Sequence, residues 1–216
     1  ILAGIFIIIK VLASVISPQG KGALQINTNI KADIFLNGKN IGVSPLCKCG
    51  QNDTLPSGEY LIKIVPVDKD IPEYVVKTSI KPGVLPAVEK TFLPESLGSS
   101  YVLTLEKTSI KTPQLYISSI PDNAIISVDG STNGATPLLV KDISASEHEL
   151  ELQKQGFAKK TIRIRTVPFY KLNVMAILGT EGNENYVSPS VVPTASPSAA
   201  LKLLVKIKNT PTGFLR

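Results

Sequence analysis

The sequence predicts an all-β protein of two small β-sandwich-like modules in tandem, preceded by a single hydrophobic transmembrane helix. Three observations support this fold class. Ile, Val, Leu and Thr are frequent, and Pro and Gly recur through the middle, which favours short strands and turns over helices. One sequence motif occurs in two similar copies, with Asn37 of the first copy 92 positions before Asp129 of the second. The chain also opens with a long apolar run.

The apolar opening, ILAGIFIIIKVLASVIS, predicts a transmembrane anchor over residues 1–17. Lys10 is its one charged residue, and the run is slightly shorter than the about 20 residues that span a bilayer. Because the sequence starts with Ile1 and not with Met, we expect the anchor to be truncated at its N-terminus. A signal peptide is the competing interpretation, but LASVISPQGKGA lacks a convincing cleavage site. We therefore expect a single-pass protein of the cell membrane, with the β modules extracytoplasmic.

The repeated phrase reads LNGKNIGVSPL at Leu36–Leu46 and VDGSTNGATPL at Val128–Leu138. In each copy, alternate apolar residues lead into an Asn-Gly or Asp-Gly pair, which tolerates the positive φ of a tight hairpin turn. A second Gly and a Ser-Pro or Thr-Pro pair follow, and proline marks a strand end or edge because it cannot donate a ladder hydrogen bond. The predicted structural turn residues are Asn37, Gly38, Gly42, Pro45, Asp129, Gly130, Gly134 and Pro137.

These residues resemble the PEGA domain, a short β-rich module of bacterial and archaeal surface proteins. The Pro-Glu-Gly-Ala stretch that names the family corresponds to Pro-Asp-Asn-Ala at 121–124, and in the first copy to Asn-Ile-Lys-Ala at 29–32. Gly-Phe at 156–157 is similar to the family's closing Gly-aromatic pair. The resemblance implies two PEGA-like repeats, a role at the cell surface, and contact with cell-wall glycan or surface-layer protein.

The predicted domains follow from the spacing of these motifs. The first PEGA-like module covers residues 23–107 and the second covers 113–179. The first contains an extra stretch, 70–107, which adds either edge strands or an extended loop. Residues 180–200 are rich in Ser and Pro and predict a linker. The ending VKIKNTPTGFLR resembles the opening of a bacterial SH3-type domain, which assigns 201–216 to the start of such a domain.

Few residues could support catalysis. His148 is the one histidine of the chain, and its alternation with Leu150 and Leu152 predicts a half-buried strand residue and not a triad base. The stretch HELEL lacks the second His of a zinc-binding helix, and the glycine turns are not followed by a phosphate-binding helix. The Glu residues of EHELEL alternate as they do on a solvated strand. We therefore predict no enzymatic activity, no catalytic residue and no cofactor, and no metal site among these residues.

Cys47 and Cys49 are the two cysteines of the chain. A disulfide between them would be strained in an extended segment. A metal would need further ligands, and the one histidine belongs to the other module. A structural role, a redox or cross-linking role and a metal site are therefore the three interpretations of this pair.

The charge pattern argues against nucleic acid as a partner. The formal charge of +6 comes from scattered Lys, without the Arg-rich blocks or interleaved aromatic residues of a nucleic-acid groove. The aromatic residues that could face solvent and stack on sugars are Phe35, Tyr74, Phe157, Phe169 and Tyr170.

These observations lead us to expect a membrane-anchored, surface-exposed, non-enzymatic protein. Its modules would act in cell-envelope contact or in carbohydrate or protein binding. One alternative is a structural spacer that holds a further C-terminal domain away from the membrane, and another is an accessory part of an enzyme or sensor.

Overall fold

The computed structural model describes residues 20–50, 52–93 and 96–181, and these residues form β-strands and no helix. Alternating apolar side chains and frequent Gly, Pro, Asn and Asp account for the short strands and tight turns. The first strands are β1 (Lys21–Gly22), β2 (Leu24–Thr28), β3 (Ala32–Leu36), β4 (Lys39–Val43), β5 (Leu46–Lys48), β6 (Leu55–Pro56), β7 (Gly58–Pro66), β8 (Tyr74–Ile80) and β9 (Ala87–Leu93). The following strands are β10 (Ser96–Lys107), β11 (Gln114–Ile120), β12 (Ile125–Val128), β13 (Ser131–Ala135), β14 (Leu138–Val140), β15 (Glu147–Lys154), β16 (Phe157–Arg165) and β17 (Tyr170–Ile177).

Two stretches of the chain, β2–β9 (module 1) and β11–β17 (module 2), share one strand order. Module 1 has a four-stranded sheet, β4-β3-β7-β8, and a three-stranded set, β5-β2-β9; module 2 has β13-β12-β15-β16 and β14-β11-β17. In each three-stranded set, the middle strand pairs with one neighbour antiparallel and with the other parallel. Apolar side chains from both layers form the core between them, as in a β-sandwich. The short strands β1 and β6 pair beside module 1.

Strand β10 joins the two modules into one seven-stranded sheet. The strand order is β14-β11-β17-β10-β9-β2-β5. Equivalent strands of the two modules therefore follow in the same order on the two sides of β10. β10 pairs antiparallel with β9 on one side and with β17 on the other. A continuous ladder of backbone hydrogen bonds therefore runs from one module into the other and fixes their relative position.

The two hydrophobic cores lie on opposite faces of this sheet. Successive side chains of a strand point to opposite faces, and β10 contributes Val102 to the core of module 1 and Leu105 to the core of module 2. Each four-stranded sheet therefore covers a different face of the seven-stranded sheet. The fully buried core side chains include Leu24, Ile26, Ile34, Ile62 and Ile64 in module 1 and Leu115, Ile117, Ile126, Leu150 and Leu152 in module 2.

Two neighbouring serines of β10 carry equivalent polar contacts to the two modules. Tyr74 of β8 and Lys160 of β16 hold the same place in their sheets, because each pairs with the equivalent residue of the neighbouring strand. The Tyr74 hydroxyl lies 3.0 Å from Ser100 Oγ. Lys160 Nζ donates to Ser99 Oγ at 3.3 Å and to Glu89 Oε1 at 2.9 Å. Each outer layer is thus tied to its own face of β10.

Glu89 of β9 links three strands on the module 2 face. Its carboxylate accepts hydrogen bonds from the Tyr101 hydroxyl at 2.8 Å and from Lys160. Burial, together with the Glu89 charge, raises the pKa of Tyr101.

On the opposite face of β9, the Lys90 ammonium lies 5.0 Å from the centroid of the Tyr74 ring. Burial lowers the pKa of Lys90 to about 8, and the charge of Lys160 acts in the same direction.

The predicted fold class is wrong in two respects. The modules are not separate bodies in tandem, because β10 joins their three-stranded sets into one sheet. The predicted transmembrane helix is not part of the observed fold, since the described residues are all strand, turn or loop and include no helix long and apolar enough to cross a membrane. Residues 1–17, 182–200 and 201–216, to which we assigned the anchor, most of the linker and the SH3-type opening, lie outside the described residues.

The extra stretch at 70–107 is not an extended loop, and one of its three strands, β8, is an edge strand of its four-stranded sheet. It contains β8 and β9, which are the counterparts of β16 and β17, and β10, which lies at the centre of the seven-stranded sheet. The alternation of YVLTLEK predicts a strand correctly. It does not predict the neighbours of that strand, because pairing is decided by residues distant in the sequence.

We expect substitutions on the two faces of β10 to weaken one shared unfolding transition. Leu105→Ala should lower the free energy of unfolding by about 2–4 kcal/mol, and Val102→Ala by about 1–3 kcal/mol, because each opens a cavity in one core. Differential scanning calorimetry of the full chain measures both. Two separate transitions, each lowered by one of the two substitutions, would show that the modules unfold independently and would contradict the structural role of β10.

Candidate functional site

The two hairpin turns, Asn37-Gly38 and Asp129-Gly130, have the same geometry. Asn37 and Asp129 have φ of 49° and 50°, and the glycines that follow have φ of 82° and 77°, the positive values of a type I′ turn. The turn side chain also reaches the neighbouring long strand. Asn37 Oδ1 accepts a hydrogen bond from the Leu61 N–H, and Asp129 Oδ1 accepts one from the Glu149 N–H, both at 2.9 Å. These residues fasten the turns to β7 and β15.

The second glycine of each copy lies beside the leucine that begins the next strand. Gly42 and Gly134 have φ of 142° and 141°, which L-residues rarely adopt. A Cβ at Gly42 would lie 2.9 Å from Leu46 Cδ1, and one at Gly134 would lie 3.6 Å from Leu138 Cδ2. The glycines therefore shape the chain and offer no reactive group. The prolines between each glycine and leucine are exposed: Pro45 and Pro137.

His148 is buried, and both nitrogens of its ring face acceptors. Nδ1 lies 2.7 Å from Asp129 Oδ2, and Nε2 lies 3.0 Å from the carbonyl oxygen of Ser144. Ser146 Oγ is 3.1 Å from Nε2. Because a carboxylate and a carbonyl only accept hydrogen bonds, this geometry favours the imidazolium with a proton on each nitrogen. We call Asp129, Ser144 and His148 the His148 clasp.

The His148 clasp contains the residue types of a Ser-His-Asp triad but not the protonation that the triad needs. A triad base accepts the serine proton at Nε2, whereas Nε2 of His148 donates to the Ser144 backbone. Burial lowers the pKa of His148, but the hydrogen bonds to Asp129 and Ser144 outweigh it and raise the pKa above 6.5. The hydrogen bond to His148 also lowers the pKa of Asp129. The geometry therefore favours a charged contact that holds the loop before β15.

Module 1 holds the equivalent loop with a neutral contact. Tyr60 has the place in β7 that His148 has in β15, and its hydroxyl donates to the carbonyl oxygen of Pro56 at 2.8 Å. Both side chains thus bind a carbonyl four residues earlier in the chain. Asn37 stands where module 2 has Asp129. The acid and the histidine therefore differ together between the modules, and this paired difference is the sequence signal that could have predicted the clasp.

We expect the single histidine to titrate above its ordinary pKa, and Asp129→Asn to lower that pKa. Asn keeps the turn, as Asn37 shows in module 1, but removes the charge that stabilises the imidazolium. His148 therefore stabilises the fold fully below about pH 6.5, and this contribution is lost as the pH rises through its raised pKa. NMR of the His148 ring protons against pH gives the pKa without any assignment problem, because the chain has one histidine.

A matched urea series above and below that pKa measures the stability change. The slope of stability against pH in this range should become smaller in Asp129→Asn. A His148 pKa at or below 6.5 in the wild-type protein, or one that Asp129→Asn leaves in place, would contradict the clasp.

Cys47 and Cys49 form a disulfide bond, with their Cα atoms 5.3 Å apart. Cys47 is exposed on β5, an edge strand of the seven-stranded sheet. The two thiols are therefore bonded to each other in the structure, and the choice between a structural and a redox role stays a prediction. Within the described ranges, no group of three or more His, Cys, Asp or Glu side chains could hold a metal ion.

We expect the folded protein to react with iodoacetamide only after reduction. Both thiols should then be alkylated, because Cys47 is exposed and Cys49 is its bonded neighbour. Intact-mass spectrometry with and without reductant measures this, and the double substitution Cys47→Ser, Cys49→Ser is the unreactive control. Alkylation of unreduced protein would contradict the disulfide.

The outer face of the four-stranded sheet in module 1 carries apolar side chains in register. Phe35, Lys63 and Val75 are cross-strand neighbours on β3, β7 and β8, and Leu61 pairs with Lys77 in the next row. Leu61 and Val75 are 42% and 45% exposed. We call these five residues the module 1 outer face.

The same positions in module 2 form a ladder of charged and polar residues. Ser127, Glu151 and Thr161 replace the row of Phe35, and Glu149 pairs with Arg163 in place of the Leu61 row. Further along the strands, Lys159 Nζ lies 2.5 Å from Glu151 Oε1, and Arg165 lies 3.8 Å from Glu147. One neighbouring position differs in the opposite sense, because module 2 has the exposed Ile125 where module 1 has Asp33. One scaffold thus presents two chemically different outer surfaces.

The aromatic residues that we considered as solvent-facing differ in their exposure. Phe169 is 45% exposed, and Phe35 is half-buried on the module 1 outer face. Tyr74 is half-buried against Ser100, while Phe157 and Tyr170 pack against the core of module 2. Sequence alternation does not separate these cases, because Phe157 and Tyr170 begin strands next to turns.

A family model supports the resemblance for one module. The PEGA domain model matches residues 112–175, which span β11 to the greater part of β17. Residues 112–175 are a PEGA domain. Neither the curated proteins nor the solved structures contain a match to the chain. Module 1 shares the strand order of the PEGA domain, and its assignment as a second PEGA-like repeat stays a prediction.

Proposed function

We propose that this protein is an extracellular, non-enzymatic module that binds a component of the cell envelope, either cell-wall glycan or surface-layer protein. The PEGA domain at 112–175 suggests an extracellular or surface-binding module. The Cys47–Cys49 disulfide supports a location outside the cytoplasm, because such bonds persist in oxidising compartments.

The observation that carries the binding proposal is the difference between the two outer faces. Module 2 shows that this sheet accepts Glu149 and Thr161 at positions where module 1 has Leu61 and Val75. Folding therefore does not require apolar side chains there. Neighbouring exposed apolar side chains with polar residues around them are typical of a contact surface, so we assign the envelope contact to the module 1 outer face.

Two further observations support the absence of catalysis and of nucleic-acid binding. The histidine belongs to the His148 clasp, where its Nε2 proton is committed to the Ser144 carbonyl. The basic residues of β16 face acids, as in the contacts of Lys159 with Glu151 and of Arg165 with Glu147. Charges that are already paired are poorly suited to binding phosphates.

The second candidate function is a rigid spacer, and β10 favours it. The antiparallel pairing of β10 with both β9 and β17 makes the two modules one body. A rigid body of this kind can hold a neighbouring domain at a fixed distance without binding anything. The two functions differ in what they demand of the module 1 outer face.

We expect the double substitution Leu61→Glu, Val75→Thr to weaken envelope binding by about tenfold or more, because it removes two central apolar contacts. These are the residues of module 2 at the same positions, and the new Glu lies opposite Lys77 as Glu149 lies opposite Arg163. Binding of the full chain to purified sacculi and to surface-layer protein, measured by cosedimentation over a concentration series, gives the affinities. Thermal unfolding confirms that the variant folds.

The matched control is the exchange in the other direction, Glu149→Leu, Thr161→Val, which should leave binding unchanged. If the wild-type chain shows no saturable binding to either fraction, the spacer is the better proposal. Equal binding by the wild-type chain and by both variants would place the contact away from the module 1 outer face.

A further inference from the structure

Phe169 is an exposed phenylalanine in a backbone conformation that suits glycine. It precedes β17, its side chain is 45% exposed and its φ is 64°. A positive φ is a genuine outlier for a bulky residue and raises the energy of the fold by an amount that the rest of the structure must offset. Such a residue is retained when its side chain is needed.

Module 1 has glycine at the same place. The turn between β8 and β9 contains Pro82-Gly83, and the turn between β16 and β17 contains Pro168-Phe169. Gly83 has a φ of 67°, close to that of Phe169. Module 2 therefore keeps a phenylalanine where the same turn in the same chain is made with glycine. Its exposed ring adds little to the core, which indicates a contact outside the molecule.

The surroundings of Phe169 are apolar and basic. The Thr108 N–H donates to the Phe169 carbonyl at 2.8 Å, and the Phe169 N–H donates to the Lys111 carbonyl at 3.2 Å. These bonds hold the 108–111 loop against the turn, and Ile110 in that loop is 50% exposed. Lys107 and Lys111 are exposed beside it. We call Ile110, Phe169 and these two lysines the Phe169 tip.

More lysines lie at the same end of the seven-stranded sheet. β10 ends at Lys107, next to the first residue of β17, and β9 begins at this end because it runs antiparallel to β10. The Gly83 N–H before β9 donates to the Lys21 carbonyl at 2.9 Å. Lys81 is close enough to Glu106 of β10 to lower the pKa of that carboxyl, after the larger effect of Lys171. Lys21 and Lys81 are exposed and add to the positive charge around the tip.

We propose that the Phe169 tip binds the surface of an anionic lipid bilayer. Phe169 and Ile110 would enter the boundary between headgroups and acyl chains, and the lysines around them would contact lipid phosphates. The exposed Ile110 beside Phe169 favours a lipid surface over a glycan, because a second apolar side chain gains more from acyl chains than from sugar hydroxyls. The inference goes beyond the proposed function, because it involves a different surface and a different partner.

A tryptophan reporter tests the contact in the full chain. The protein has no tryptophan, so Phe169→Trp and Ile120→Trp each give one emission signal. Ile120 is 59% exposed at the other end of β11 and serves as the matched control. With vesicles of phosphatidylcholine and phosphatidylglycerol, Trp at 169 should shift to the blue and be quenched by brominated acyl chains, while Trp at 120 should do neither. Vesicles of phosphatidylcholine alone should give a weaker response.

A second variant separates binding from folding. Phe169→Gly should fold with equal or higher thermal stability, because Gly suits the positive φ. In an Ile110→Trp background, it should weaken the vesicle titration by about tenfold, which corresponds to the loss of one buried phenylalanine. Replacing Lys107 and Lys111 with Gln should reduce the preference for phosphatidylglycerol.

Three results would overturn the lipid proposal. They are no response of Trp at 169 to anionic vesicles, an equal response of Trp at 120, and a vesicle affinity that Phe169→Gly leaves unchanged. If the first of these results is accompanied by a shift of Trp at 169 with soluble envelope polysaccharide, the tip contacts a glycan instead. None of these outcomes depends on the module 1 outer face, so failure here leaves the proposed function to its own test.

Discussion

The pairing of β10 with both β9 and β17 is the interaction on which the rest of the structure depends. Without it, each three-stranded set would end in an unpaired edge strand, β9 in module 1 and β17 in module 2. Exposed edge strands are prone to pair with other chains. With it, the two cores share one sheet and lie on its opposite faces, so neither can shift without disturbing the ladder that both use. Ser99 and Ser100 reinforce the arrangement by receiving Lys160 and Tyr74 from the two sides.

The shared framework leaves the surfaces free to differ. Main-chain contacts repeat between modules: the Ser44 N–H donates to the Ala32 carbonyl as the Thr136 N–H donates to the Ala124 carbonyl, both at 2.9 Å. Several solvent-facing positions of the four-stranded sheets differ, and the clearest case is Leu61 against its charged counterpart in module 2. Surface differences on a framework that both modules share point to function, because the shared framework shows which residues folding needs.

Local features of the fold could be predicted from the sequence, but their assembly could not. The Asn37-Gly38 turn is predictable because positive φ is a property of the residue types themselves. The position of β10 depends on pairing across distant parts of the chain, which periodicity does not encode. The contact of His148 with Asp129 joins a strand residue to a turn residue 19 positions earlier. The sequence alone identifies His148 as a strand residue and Asp129 as a turn residue. It is the register of β12 and β15 that brings them together.

The two modules hold the equivalent loops before β7 and β15 with contacts that differ in their dependence on pH. Tyr60 binds the Pro56 carbonyl through a neutral hydroxyl, whereas His148 binds the Ser144 carbonyl as a cation balanced by Asp129. Near neutral pH, a change in acidity therefore acts on the loop before β15 and leaves the loop before β7 unaffected. Because the loop and its histidine belong to the PEGA domain, the loss of the His148 charge with rising pH should weaken the hold on this loop within that domain.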